Sequence, residues 1–240
     1  LGDFNLNEIL QVSEENFIEK INPVYKAINL VSNDQLTKNK STIGFIGAPW
    51  TILVYMINKQ SPKLNLINDF FDNKFLISDL LKIIIKFSKI HIKHQIKNGA
   101  QIIQIFDSWA GLLNNEKLPN FVYNPTRELV EFTQSLNIPV ICFPREIKDY
   151  KKYCDEIKPN VISIDYNVNP SEIVKQIKIP VQGGMDPKVL LTDERNLKNE
   201  AKKYLDIFKD HPYIFNLGHG VLPETDPNTM DYLIKMVKDY

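Results

Sequence analysis

Six short apolar runs, each set apart from the next by a helical pattern, constrain this chain more than any other feature. They are "TIGFIGAP" (42–49), "AQIIQIFDS" (100–108), "IPVICFP" (138–144), "NVISIDYNV" (160–168), "IPVQGG" (179–184) and "YIFNLGHG" (213–220). Their residues are near-continuously apolar rather than alternating, which predicts strands covered on both faces, as in a parallel sheet. Parallel neighbours need a crossover, and the segments between the runs can supply one. "DERNLKNEAKKYLDIFKDH" (193–211) places Leu197, Ala201, Tyr204, Leu205 and Phe208 on one helical face. "TRELVEFTQSL" (126–136) and a longer stretch over 75–97 read the same way.

Helix starts repeat a signature. Asn124-Pro125, Asn169-Pro170, Asp186-Pro187 and Asp226-Pro227 each put a capping side chain before a proline. The side-chain oxygen can accept an orphan N–H, and the ring presets φ where no hydrogen bond is lost. A repeated strand, loop, capped helix cycle follows.

Such alternation leaves a doubly wound sheet or a closed barrel. No G-x-G-x-x-G follows a strand, so the sheet reading lacks its usual marker. The runs end instead in polar or small residues: Asp107-Ser108, Asp165, Gln182-Gly183-Gly184 and His219. A (β/α)8 barrel gathers the carboxyl ends of its strands at one rim, where a site is built. Six strands fall short of eight, and residues 1–41 read as helical. The expectation is α/β, an incomplete (β/α)8 TIM-like barrel with about six of eight strands present. No linker, low-complexity tract or repeat divides residues 1–240, so one barrel domain is expected.

Formal charge is zero, with 29 basic and 29 acidic residues, so no global field recruits nucleic acid or an acidic membrane. The longest apolar stretches, such as "LLKIII" (80–85), are interrupted by lysine and too short to span a bilayer. Two cysteines are too few for a disulfide framework and point to a reducing, cytoplasmic setting, with Cys142 an apolar packing residue.

Several residues could carry chemistry. His219 sits between Gly218 and Gly220, which free the backbone and leave the ring unobstructed; alternatively the imidazole only bonds a loop carbonyl. Asp107 and Ser108 end a buried strand as either a functional pair or a helix cap. Gln182 to Pro187 could offer amides to an anion, or Asp186 could simply cap a helix. His91 and His94 have a spacing able to share a metal, but no third ligand follows in a recognisable pattern, and no metal is expected.

Together, "GFIGAPWTILVYM", "QIFDSWAGLL", "IDYNV", "QGGMDP" and "FNLGHGVLPETDP" resemble the uroporphyrinogen decarboxylase family in order and spacing across nearly the whole chain. The resemblance implies a (β/α)8 barrel acting as a homodimer without metal or organic cofactor. It implies a tetrapyrrole substrate and removal of CO2 from four acetate arms of uroporphyrinogen, giving coproporphyrinogen. Position by position, Tyr55 matches a tyrosine that hydrogen-bonds a substrate carboxylate. Ser108 matches a substrate-contacting position, and His219 the histidine that reaches a carboxylate of the macrocycle. Phe45 and Phe106 match cleft-lining residues. No catalytic residue is assigned, because the family's aspartate belongs to an F-S-D motif absent from this sequence. Its M-R-Q-A-G-R-Y motif, with carboxylate-binding arginines, is absent too.

Arginine is scarce here, with only Arg127, Arg145 and Arg195, while a ligand with eight carboxylates calls for many. The residues given are therefore expected to be the carboxyl-terminal two-thirds of a decarboxylase, inactive alone. "INKQSPK", Gly184 in "QGGMDP" and "CFPRE" depart from the family's pattern at loops. Two rival readings remain: a zinc- and corrinoid-dependent methyltransferase of the same superfamily, which would need an H-x-C pattern not found here, and a non-catalytic tetrapyrrole-binding barrel.

Overall fold

The structure, a computed structural model of the chain, describes residues 6–58, 66, 71 and 74–240. The chain divides into two compact units, Leu1–Ile147 with Asp155–Pro159, and Lys148–Cys154 with Asn160–Tyr240.

The first unit runs α1 (Leu6–Leu10), α2 (Glu14–Asn33), β1 (Ile43–Gly47), α3 (Pro49–Asn58), α4 (Lys74–Lys97), β2 (Ile102–Asp107), α5 (Asn124–Ser135) and β3 (Val140–Pro144). β1 pairs with β2, and β2 with β3, both parallel, with Phe45 opposite Gln104 and Phe106 opposite Phe143. All five residues of β3 are buried, Cys142 among them, as expected of a strand covered on both faces. β1 departs from that expectation. Gly44 and Ile46 are buried, but Ile43 is 43% and Phe45 65% exposed. Among the described residues β1 has one strand neighbour, so half its backbone polar groups need another partner. Gln95, on α4 and only 1% exposed, supplies it. Its amide accepts from the Phe45 N–H at 3.0 Å and donates to the Phe45 carbonyl at 3.1 Å.

The second unit takes the first part of α6 (Tyr150–Ile157), then β4 (Val161–Ile164), α7 (Pro170–Gln176), β5 (Val181–Gly183), α8 (Glu194–Ile207), β6 (Tyr213–Ile214) and α9 (Pro227–Lys238). β4 pairs with β5, and β5 with β6, again parallel. On α8, Leu197, Ala201 and Tyr204 are buried, and Phe208 just past its end is 2% exposed.

Three of the four expected caps form. Asn169, Asp186 and Asp226 accept from the amides of Ser171, Lys188 and Asn228 at 2.9–3.0 Å. Asn124 is the exception. A π-helical turn over Pro119–Tyr123 leads straight into α5, so Asn124 is already helical and faces no orphan amide to cap. Its side chain instead accepts from Arg127. The last strand is also shorter than expected. After Tyr213–Ile214 only Leu217 makes a bridge, to Met185, and the Leu217 amide bonds the Asn216 side chain at 2.8 Å. A local side-chain acceptor there competes with the ladder and stops it.

Candidate functional site

In the first unit the site is built where β1 and β2 end. The Ala48 amide donates to the Phe106 carbonyl at 2.8 Å, extending the parallel pairing past β1 and turning the chain into α3. Asp107, the last residue of β2, points under α3. It is 1% exposed and its Oδ1 accepts the Thr51 hydroxyl at 2.7 Å. The Thr51 oxygen accepts in turn from the Trp109 amide at 3.3 Å. The Trp50 indole donates to the Trp109 carbonyl at 2.8 Å. Burial pushes the Asp107 carboxyl up to about 7, only partly opposed by the Thr51 hydroxyl and the Trp109 amide. Its Oδ2 is buried without a hydrogen-bond partner among the described residues. Asp107 is thus neither a helix cap nor an exposed acid.

Tyr55 lies one turn after Thr51 on α3 and is half-buried, its ring edge-on to Trp109 at 6.0 Å. Ser108, also half-buried, precedes Trp109 in the turn leaving β2. The structure therefore brings Tyr55 beside the Ser108–Trp109 turn. Phe45 and Phe106 meet edge to face at 6.0 Å, and Phe106 meets Phe143 likewise at 6.0 Å, an aromatic row across β1, β2 and β3. Phe45 also borders an apolar groove of about 490 Å3 together with Gly47, Ile52, Met56, Ile84 and Phe87.

His219 belongs to the second unit, where it is exposed, its ring edge-on to Tyr166 at 6.3 Å. The role expected of its glycines changes. Neither Gly218 nor Gly220 has a positive φ; Gly183 and Gly184 do, at 83° and 102°. Gly218 is needed for proximity, since a Cβ there would stand 2.4 Å from the Tyr166 nitrogen. A Cβ on Gly220 would meet nothing within 4 Å. Two tyrosines hold the Gly183-Gly184 turn: Tyr213 donates to the Gly183 carbonyl at 2.8 Å and Tyr204 to the Gly184 carbonyl at 2.6 Å. Burial raises both phenols, Tyr204 to about 12 and Tyr213 further, so they remain donors.

Asp165, after β4, is 1% exposed and accepts from the Asn167 amide at 2.9 Å and the Tyr150 hydroxyl at 3.1 Å. Burial and the facing carboxylate raise the Tyr150 phenol, keeping it protonated. His91 and His94 flank the Tyr25 ring, with the Tyr25 hydroxyl 3.1 Å from His91 Nδ1. No cluster able to hold a metal occurs among the described residues. Most of the "INKQSPK" departure lies outside the described residues. Sequence reasoning missed Thr51, Tyr150 and Tyr166; a threonine in the first turn of an apolar helix after "GAPW" was the signal available for the first.

In both units strands alternate with helices, the strand pairs within each unit are parallel and polar side chains stand at strand carboxyl ends, which places the chain in the α/β class of (β/α)8-type proteins, with part of a barrel's strands present. A methyltransferase from Methanosarcina mazei shares the fold with a TM-score of 0.71 at 17% identity, over 92% of this chain and 64% of that one. Residues 3–240 match the family described as uroporphyrinogen decarboxylase (URO-D). The uroporphyrinogen decarboxylase of Rickettsia bellii is 37% identical over all of this chain and 72% of its own length. That of Orientia tsutsugamushi (strain Ikeda) is 38% identical over 98% of this chain and 70% of its own. The chain belongs to the uroporphyrinogen decarboxylase family.

Proposed function

We propose that the protein is a carboxy-lyase that converts the four acetate side chains of uroporphyrinogen to methyl groups, giving coproporphyrinogen and CO2. Whole-chain identity of 37% to a uroporphyrinogen decarboxylase carries the reading. At each arm the bond to the carboxylate breaks and CO2 leaves. The electron pair left on the methylene carbon delocalises into a pyrrole protonated beforehand; a proton then adds to that carbon in place of CO2 while the ring proton is released, which restores the pyrrole. Stabilising that cationic ring and aligning the arm is work for fixed dipoles and hydrogen bonds.

In this reading the Tyr55 hydroxyl, the Ser108 hydroxyl and the His219 imidazole each donate to a carboxylate of the macrocycle, and Phe45 and Phe106 pack against its apolar parts. Tyr55 and Ser108 are half-buried and His219 is exposed, so each can present a donor to a ligand. We assign the residues 1–240 to a single barrel domain that works as a homodimer in the cytoplasm; no helix among the described residues is long and apolar enough to cross a membrane.

Anaerobic incubation of the full-length protein with uroporphyrinogen, followed by counting product carboxylates, tests the reading. A four-carboxylate product supports it. Unchanged substrate with tight binding would favour a non-catalytic tetrapyrrole carrier, and thiol methylation with stoichiometric zinc a methyltransferase. Sedimentation of the same protein tests the dimer.

A further inference from the structure

We propose that Asp107 is a positioning residue which, through Thr51 and the Trp109 amide, sets the spacing of Tyr55 and Ser108 and so the grip on a substrate carboxylate. The inference rests on the decarboxylase reading for its ligand, but its geometry stands apart from it.

Asp107 is held away from any ligand it could touch: it is 1% exposed and directed under α3, while Phe106, the residue before it, joins the aromatic row with Phe45 and Phe143. It therefore acts through others. The Thr51 hydroxyl donates to its Oδ1 at 2.7 Å, and that same hydroxyl oxygen receives the Trp109 N–H at 3.3 Å. One side of this link is α3, which carries Tyr55 a turn beyond Thr51. The other is the turn that carries Ser108 and Trp109, whose ring meets Tyr55 edge-on. Trp50 braces the same turn from α3, and the Arg145 amide holds the Asp107 carbonyl at 3.0 Å. The two elements that bear Tyr55 and Ser108 are thus tied together through a buried carboxyl, with Trp50 as a second brace.

The chemistry of that carboxyl suits a polyanionic ligand. A buried carboxyl with its pKa raised to about 7 supplies a hydrogen-bond acceptor with less negative charge beside the carboxylates to be bound than an exposed acid would carry. Asparagine reproduces the acceptor and the shape; alanine removes the link; valine at position 51 removes it from the other side at similar volume.

Steady-state kinetics of the full-length protein with uroporphyrinogen test this. Asp107→Ala and Thr51→Val should each raise KM by about tenfold while kcat stays within about threefold, and Asp107→Asn should bring KM back to within about threefold of the parent. The double variant Thr51→Val/Asp107→Ala should be no worse than either single, because both cut one link. An unchanged KM in folded Asp107→Ala, or single effects that multiply in the double, overturns the proposal. If the parent protein leaves uroporphyrinogen untouched, the decarboxylase reading falls, and hydrogen exchange at the Trp109 amide decides the positioning. Protection lost in Asp107→Ala and Thr51→Val but kept in Asp107→Asn upholds it; equal exchange in all four proteins overturns it.

Discussion

Gly218 lies against Tyr166 so closely that a Cβ would stand 2.4 Å from the Tyr166 nitrogen and 2.9 Å from its Cα. The Gly218 amide is simultaneously spent on the Met185 carbonyl, at 2.8 Å. His219 is thus placed by a backbone-to-backbone contact on one side and a hydrogen bond on the other. The contact partners are main-chain atoms, which cannot rotate away. Gly218→Ala should therefore destabilise by about 2 kcal/mol or more, and displace His219 with it. Gly220→Ala, with open space and an ordinary φ, should change stability by less than about 0.5 kcal/mol. Urea unfolding of the two variants checks the contrast.

The turn before this contact makes a second demand. Gly183 and Gly184 both have positive φ, and the Tyr213 and Tyr204 hydroxyls satisfy their carbonyls. Removing the Tyr204 hydroxyl leaves the Gly184 carbonyl buried without its donor, so Tyr204→Phe should cost about 1–2 kcal/mol. Because Met185, the next residue, receives the Gly218 amide, the loss should extend to the His219 segment. Faster hydrogen exchange at Gly218 in Tyr204→Phe than in the parent is the expected result.

Stability should depend on pH in two opposing ways. Asp107 keeps its proton up to about 7 when folded, against an ordinary value of 3.8. Between these limits the folded state binds more protons than the unfolded, so stability falls as pH rises from about 4 to 7 and levels off above. The shift bounds that loss at about 4 kcal/mol. His91 behaves oppositely. Burial, helped by the neighbouring His94, lowers it below 6.5, so the unfolded chain binds the extra proton and stability falls as pH drops through 6.5. In urea-midpoint profiles Asp107→Asn should remove the loss on raising pH from about 4 to 7, and His91→Gln the opposing loss on lowering pH through 6.5.

Much of this architecture is legible in sequence because burial leaves its mark there. The runs at 138–144 and 160–168 read as covered strands; β3 is buried throughout, and β4 is buried from Ile162 to Ile164 but stops short of the run's end. Asx-Pro pairs announced three caps because the cap and its amide lie two residues apart. What failed involved partners distant in the chain. Phe45 reads as apolar interior, yet its exposure is set by which strands neighbour β1. Gly218 reads as a hinge, but its need comes from Tyr166, fifty-two residues earlier. Asp107 reads as either a functional residue or a cap, and what decides between them, its partner Thr51, lies fifty-six residues away. The resemblance marked Tyr55 and Ser108 by position, while the link between them is a matter of side-chain geometry.

The side of β1 that has no strand neighbour among the described residues offers the sharpest test of the packing. Gln95 fills both backbone hydrogen-bonding positions of Phe45 while itself 1% exposed, and its Oε1 lies 2.6 Å from where a Cβ on Gly44 would be. The glycine, the glutamine and the strand edge therefore form one unit. Gln95→Ala strips a donor and an acceptor from a site with little access to water, and should destabilise by about 2–4 kcal/mol. Gly44→Ala should push the amide off the strand and produce a similar loss. If both act on that one contact, the double variant loses less than the two singles combined, because cutting Gln95 back removes the tightest clash and leaves the new methyl only the 3.0 Å contacts with Ala100 Cβ and Ile103 Cδ1. A denaturation cycle over the four proteins measures this directly, and strictly additive losses would break the assignment of Gln95 as the cap of this edge.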